Sequence, residues 1–152
     1  MAGSLSETHL EAWRAFLNAH SEVIELIERD LASARRVTLR AYDVLTSLDK
    51  ARGHSLRLRE LAEAVVLSRS GLSRLVDRLE AEGLILREVC KEDRRGAFAT
   101  LTAKGKQALR TAWPIYEKGI LNYFAGYLSS SEASTLNRLL RRVSENCNVN
   151  RS

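Results

Sequence analysis

The stretch from Leu58 to Gly83 constrains this chain most tightly, because it holds two helical periods with almost nothing between them. In Ser55–Val65 the residues Leu58, Leu61, Ala62 and Val65 return every three or four positions and make a short apolar face. Val66 and Leu67 connect it to a second block, where Leu72, Leu75, Val76 and Leu79 face inward. Ser68 is placed to cap that second helix and Gly83 to end it. Two short helices with a tight link have the spacing of a helix-turn-helix. The polar side of the second helix carries Arg69, Ser70, Ser73, Arg74, Asp77 and Arg78. Small hydroxyls and Gly71 in its first turn permit close approach to a backbone, and the exposed amides there favour phosphate.

After Gly83 the period changes. Leu84–Cys90 reads as a strand, 91–96 as a tight polar turn and Ala97–Leu101 as a second strand, giving a hairpin with a charged tip, a wing. Thr102 caps the next helix, in which Pro114 either makes a kink or begins a new segment. Ahead of the central block, residues 7–34 repeat apolar residues at helical spacing from Leu10 to Leu31, with Ser6 as cap. Such a helix is ~40 Å long, so one end projects beyond its own globule and needs a partner. Thr38 caps a second helix, which Gly53 ends. Ser131 caps the last helix, where Leu136, Leu139, Leu140 and Val143 form one face, and residues 146–152 fray.

Charge follows the same division. Residues 50–110 hold 14 Lys/Arg against 8 Asp/Glu, a net +6, while the rest of the 152 residues sum to −1. A polyanion partner is therefore plausible, with a merely solvated basic surface as the alternative. No apolar run approaches the ~20 residues of a membrane span, and the N-terminus lacks a secretory pattern. Cys90 and Cys147 are too few for a disulfide scaffold and form no Cys-x-x-Cys pair, which fits a reducing cytoplasm. His9, His20 and His54 are scattered, so neither a metal nor another cofactor is expected. No nucleophile–base set, carboxylate pair or phosphate-cradling loop suggests an enzyme.

Three segments resemble the MarR family of bacterial transcription regulators: Leu58-Arg59-Glu60-Leu61-Ala62, the run from Leu67 to Glu80, and Glu92-Asp93-Arg94-Arg95 followed by Leu101-Thr102-Ala103-Lys104-Gly105. The resemblance implies a mainly α fold with a small β-hairpin wing, a winged helix-turn-helix between long terminal dimerisation helices. Its expected divisions are an N-terminal dimerisation helix at 1–37, a DNA-binding domain at 38–102 and C-terminal dimerisation helices at 103–152. It further implies a homodimer on a pseudo-palindromic operator, acting as a ligand-responsive repressor of transcription. The alternative is a winged-helix adaptor that binds protein and reads no DNA.

Within that expectation, Arg74 and Ser70 are candidates for base edges, since arginine reads guanine bidentately. Arg69, Ser73, Arg78, Lys91 and Arg94 are candidates for phosphate. Arg78 has a second reading, an ion pair with Asp77 or Glu82. The resemblance assigns Arg95 to the minor groove, with Asp93 orienting the wing tip. A purely structural wing is the alternative. Members of the family often bind small aromatic or phenolic ligands, and Trp13, Arg14, His20, Arg40 and Tyr42 could line such a cleft for an anionic effector. Trp13, Phe16, Trp113 and Tyr116 also read as packing residues. Peroxide-sensing members carry an early cysteine that this chain lacks, and Cys90 reads as inert.

Overall fold

The computed structural model describes residues 4–65, 69–89 and 96–149. Six helices among them are α1 (Glu7–Ser33), α2 (Leu39–Lys50), α3 (Leu58–Ala64), α4 (Arg69–Ala81), α5 (Ala103–Tyr123) and α6 (Ser130–Val149). Three strands are β1 (Ser55–Arg57), β2 (Ile85–Val89) and β3 (Ala97–Leu101). The fold is the mainly helical winged helix-turn-helix that the sequence suggested. The chain divides into two compact units, one of residues 27–116 and one of residues 1–26 with 117–152. No described helix is long and apolar enough to cross a membrane.

Local chemistry sets the helix ends. Ser6 Oγ accepts from His9 N at 3.3 Å, and Thr38 Oγ1 accepts from Ala41 N at 3.3 Å, so α1 and α2 open on the expected caps. The amide of Leu39 adds a bond to Glu28 Oε1 at 2.9 Å, tying α2 back to α1. α4 ends in a Schellman motif: Gly83 N donates to Glu80 O and Leu84 N to Leu79 O, both at 2.9 Å. The motif needs a left-handed residue, and Gly83 supplies it at φ +74°.

Five local expectations are corrected. The sheet has three antiparallel strands in the order β1-β3-β2, not a two-stranded hairpin. The extra strand, β1, pairs Ser55 with Thr100 and Arg57 with Phe98, positions far ahead of β3 in the chain. α2 stops at Lys50, a turn before Gly53, which lies in a 3-10 turn at 52–54. α5 runs through Pro114 to Tyr123, so no new segment begins there. The cap of α6 is Ser129, not Ser131. Glu132 stands three residues beyond Ser129 and completes a reciprocal pair: Ser129 N donates to Glu132 Oε2 at 2.8 Å, and Glu132 N to Ser129 Oγ at 3.3 Å. The Ser129 hydroxyl first, and its amide second, hold the Glu132 carboxyl below its ordinary value. α6 also continues to Val149, through the first residues of the expected frayed tail.

The core of the 27–116 unit is built from the apolar periods already noted. Val44, Leu45 and Leu48 of α2, Leu61 of α3, and Val76 and Leu79 of α4 are wholly buried, together with Ile85 and Ala99 of the sheet. Each large side chain of this set contributes roughly 1.5–3 kcal/mol on burial. α4 is thus anchored along its whole inner face, which leaves its outer face fixed in direction.

One joint locks α4 to the wing and to α5. Thr102 follows β3 directly. Its hydroxyl donates to Gly83 O at 2.7 Å, with Leu84 O at 3.0 Å, and accepts from Gly105 N at 3.0 Å. Its amide donates to Leu84 O at 3.1 Å. One threonine therefore caps α5 and serves carbonyls freed by the end of α4. Gly105 lies against Leu84: a Cβ there would sit 2.2 Å from the Leu84 carbonyl oxygen and 2.5 Å from Leu101 Cδ1.

Candidate nucleic-acid interface

The outer face of α4 separates into two stripes. Residues four apart on a helix lie one above the other, so Arg74 and Arg78 form one stripe and Ser73 and Asp77 the other, with Glu80 beside it. Ser73, Arg74, Asp77, Arg78 and Glu80 are exposed, while Leu72, Leu75, Val76 and Leu79 between them are buried. This alternation is what the apolar spacing demanded. α4 begins at Arg69, with Ser70 in its first turn. Lys91, Asp93, Arg94 and Arg95 of the wing tip, Ser68 ahead of α4, and Cys90 lie outside the described residues.

The basic stripe borders a cleft of about 390 Å³ that Arg74, Arg78 and Arg40 line together with Glu28 and Thr38. Arg78 Nε is 3.9 Å from Glu82 Oε1, with both side chains about half exposed (53% and 49%). That ion pair is loose and water-screened, and is worth a few tenths of a kcal/mol, of the order of other i,i+4 pairs. Arg78 therefore keeps most of its freedom to meet another anion. Arg40 and Arg74 form no ion pair among the described residues.

The acidic stripe would repel a polyanion were it not for Arg87, a residue that its place in the sequence does not single out. Arg87 reaches from β2 to α4, where its guanidinium hydrogen-bonds the Asp77 carboxylate. Its Nε lies 3.5 Å from Glu80 Oε2, an ion pair without hydrogen-bond geometry. Asp77 was one expected partner of Arg78, and Arg87 takes it instead. The signal was present: Ile85, Arg87 and Val89 share one face of β2, and a cation on the inward face of a strand calls for a carboxylate opposite. The arginine also sets β2 against α4. Arg87→Met is expected to lower stability by about 1 kcal/mol, since the pair is only partly buried. Urea unfolding measures this, and an unchanged midpoint would mean the pair contributes nothing.

The sheet's other face is tied differently. Ser55 Oγ and Thr100 Oγ1 are hydrogen-bonded at 2.9 Å across β1 and β3, and the Arg57 guanidinium lies 5.1 Å from the centre of the Phe98 ring. Arg57 N also donates to Glu60 Oε2 at 2.9 Å, which starts α3.

The residues expected to line an effector cleft fall in both units. Trp13, Arg14 and His20 stand exposed on α1, where Trp13 stacks near Phe16 at 6.0 Å and Phe16 near His20 at 6.3 Å. Arg14 Nη1 is 3.9 Å from Glu7 Oε1. In the 27–116 unit Arg40 is exposed, and Tyr42 packs edge-on against Tyr116 with ring centres 5.1 Å apart. Burial pushes the Tyr42 phenol above its ordinary value, and the charge of Asp43 adds to the rise. Burial and then Glu28 likewise raise the Asp43 carboxyl. Tyr42 therefore stands in negative surroundings, and of these two residues Arg40 is the one suited to an anion. Among the described residues no group of three His, Cys, Asp or Glu side chains could hold a metal.

Comparison with known proteins places this geometry. A sequence profile described as the MarR family matches residues 37–96. An HTH-type transcriptional regulator of Bacillus subtilis, YwaE, is 32% identical over 92 residues, covering 60% of this chain and 53% of that protein. The chain thus spans about half the length of the first curated relatives it matches, 53% and 56%. AbsC, a MarR family transcriptional regulator from Streptomyces coelicolor, is 30% identical with a TM-score of 0.86, over 97% of this chain and 99% of AbsC. Sco3205 of the same organism and family, solved in complex with DNA, is 29% identical with a TM-score of 0.87, over 95% of this chain and 91% of that one.

Proposed function

Because this chain belongs to the MarR family of transcriptional regulators, we propose that it binds double-stranded DNA in a sequence-specific way, as a homodimer on a pseudo-palindromic operator, and represses transcription by covering it. The observation that carries the reading is the outer face of α4: exposed Arg74 and Arg78 stand on a helix whose inner face is wholly anchored. The likeness to Sco3205, a protein solved on DNA, supports it. Arg74 with Ser70 reads base edges in the major groove, and Arg69, Ser73 and Arg78 hold phosphate. At the wing, Lys91 and Arg94 hold further phosphates, Arg95 enters the minor groove and Asp93 orients it. Nothing in the geometry favours the adaptor alternative.

A second copy of the chain is the proposed partner for the exposed apolar side chains of the terminal unit. Trp13, Phe16 and Leu17 on α1 and Leu139, Leu140 and Val143 on α6 are 38–60% exposed in the single chain. Large apolar side chains left exposed in such number on two helices fit an interaction site. A dimer would set two recognition helices in successive major grooves, roughly 34–36 Å apart. Sedimentation at micromolar concentration should give a species of twice 17.1 kDa; a monomer alone would remove this part of the proposal. The proposed effector is a small aromatic anion, for which Arg40 in the cleft beside Arg74 is the cation.

The direct test is selection of bound sequences from a random duplex library at physiological salt. An inverted repeat with one-turn spacing is the expected result. Enrichment of no motif would overturn sequence-specific reading.

A further inference from the structure

Arg35 ends α1 in a conformation that side chains avoid. Its φ is +53°, and Arg35 N donates to Ala32 O at 3.0 Å while Arg36 N donates to Leu31 O at 2.8 Å. These are the two bonds of the Schellman motif that also closes α4, where the equivalent residue is Gly83. Glycine adopts this backbone without a Cβ penalty, whereas arginine is strained in it. The chain therefore keeps an arginine where, in the same motif elsewhere, it uses glycine. The helix dipole favours a cation near a C-terminus, but Arg36 supplies one without the left-handed backbone. Strain retained at one residue points to a use for its side chain.

The surroundings of Arg35 say what that use is. Arg35, Arg36, Arg78 and Lys104 line a cleft of about 450 Å³ with Thr38 and a single carboxylate, Glu82. Arg78 already faces that carboxylate, and Lys104 Nζ donates to the Glu82 backbone oxygen at 2.7 Å. Four cations against one engaged carboxylate leave a strongly positive cleft. Thr38 and Arg78 also line the neighbouring cleft that contains Arg74 and Arg40. Basic side chains thus line two adjoining clefts, which share Thr38 and Arg78 and reach from the outer face of α4 to the link between α1 and α2.

We propose that this cleft is a second phosphate-binding element, in which Arg35 and Arg36, assisted by Lys104, hold the backbone of duplex DNA beside the stretch that α4 reads. The planar guanidinium fork matches phosphate oxygens in pairs. The proposal rests on the DNA-binding reading above and extends the footprint beyond the helix-turn-helix and the wing.

Arg35→Gly tests it cleanly, because glycine suits the backbone at that position and takes the guanidinium away without disturbing the turn. The intact protein, its Arg35→Gly and Arg36→Gln forms and the double variant are titrated with a mixed-sequence duplex at several salt concentrations. Such binding is dominated by phosphate neutralisation. Arg35→Gly should melt at a higher temperature than the wild type yet bind the duplex several-fold more weakly. The slope of log affinity against log salt should fall by about 0.9 for each phosphate that a chain no longer neutralises. The double variant should show about twice that fall in slope. If Arg35→Gly and the double variant keep wild-type affinity and slope while Arg74→Ala weakens binding, this inference falls and the DNA reading stands. A wild-type protein that binds no duplex overturns both.

Discussion

Gly105→Ala is expected to lower the unfolding free energy by about 3 kcal/mol, the upper range for overpacking a tight site. The added Cβ would stand 2.2 Å from a backbone oxygen, that of Leu84, rather than from the end of a flexible side chain. Leu84 cannot retreat cheaply. Its carbonyl accepts from Thr102 N, its amide closes α4 onto Leu79 O, and its side chain is 5% exposed in the core. Relief must therefore come from moving α5 away, which breaks the Thr102 cap as well. For a chain of this size the change corresponds to a fall in Tm of roughly 6–12 °C. Thermal unfolding followed by circular dichroism measures it. A fall under roughly 2 °C would mean that the joint yields and that this close approach does not hold α5 in place.

Arg74→Ala carries the second large effect. If Arg74 reads a base, its removal costs about 1–3 kcal/mol against the selected operator and relaxes preference at one position of each half-site. Arg78→Ala is the matched comparison. It stands one turn along the same stripe, partly engaged by Glu82. If Arg78 holds phosphate, its removal should weaken operator and scrambled duplexes alike and lower the salt slope by about 1 per phosphate. Titration of both variants against both duplexes separates the roles. Equal weakening by Arg74→Ala would reduce Arg74 to a phosphate ligand.

Most of the scaffold was legible in the sequence because it is written in local periods. Leu72, Leu75, Val76 and Leu79 repeat on a helix, Thr38 and Gly83 mark ends by their own chemistry, and Ala97–Leu101 is long enough to read as a strand. Part of the rest depends on partners distant in the chain. β1 is three residues long, too short for any alternation to register, and exists because Ser55–Arg57 meets Phe98–Thr100. The cap of α6 is a local exception: Ser129 and Ser131 offer the same hydroxyl, and only the three-residue spacing from Ser129 to Glu132 tells them apart. In the sequence Arg87 is one basic residue among many between 50 and 110, and the packing of β2 on α4 gives it Asp77 and Glu80. The basic stripe of α4 was visible from spacing alone. The contribution of Arg35 was not, since a left-handed backbone at an arginine leaves no trace in composition or period.

The division of the chain into two compact units has a consequence for anyone wishing to exchange its parts. The borders fall between Leu26 and Ile27 and between Tyr116 and Glu117, and both lie inside helices, α1 and α5. No loop offers a cutting point at either place. A chimera that grafts the 27–116 module onto the ends of a relative must splice two helices in mid-turn and keep their phase. One residue too many or too few would rotate everything beyond the splice by about 100°. Recombination between relatives should therefore succeed only where helix length on both sides of the splice matches to the residue, whatever the sequence identity.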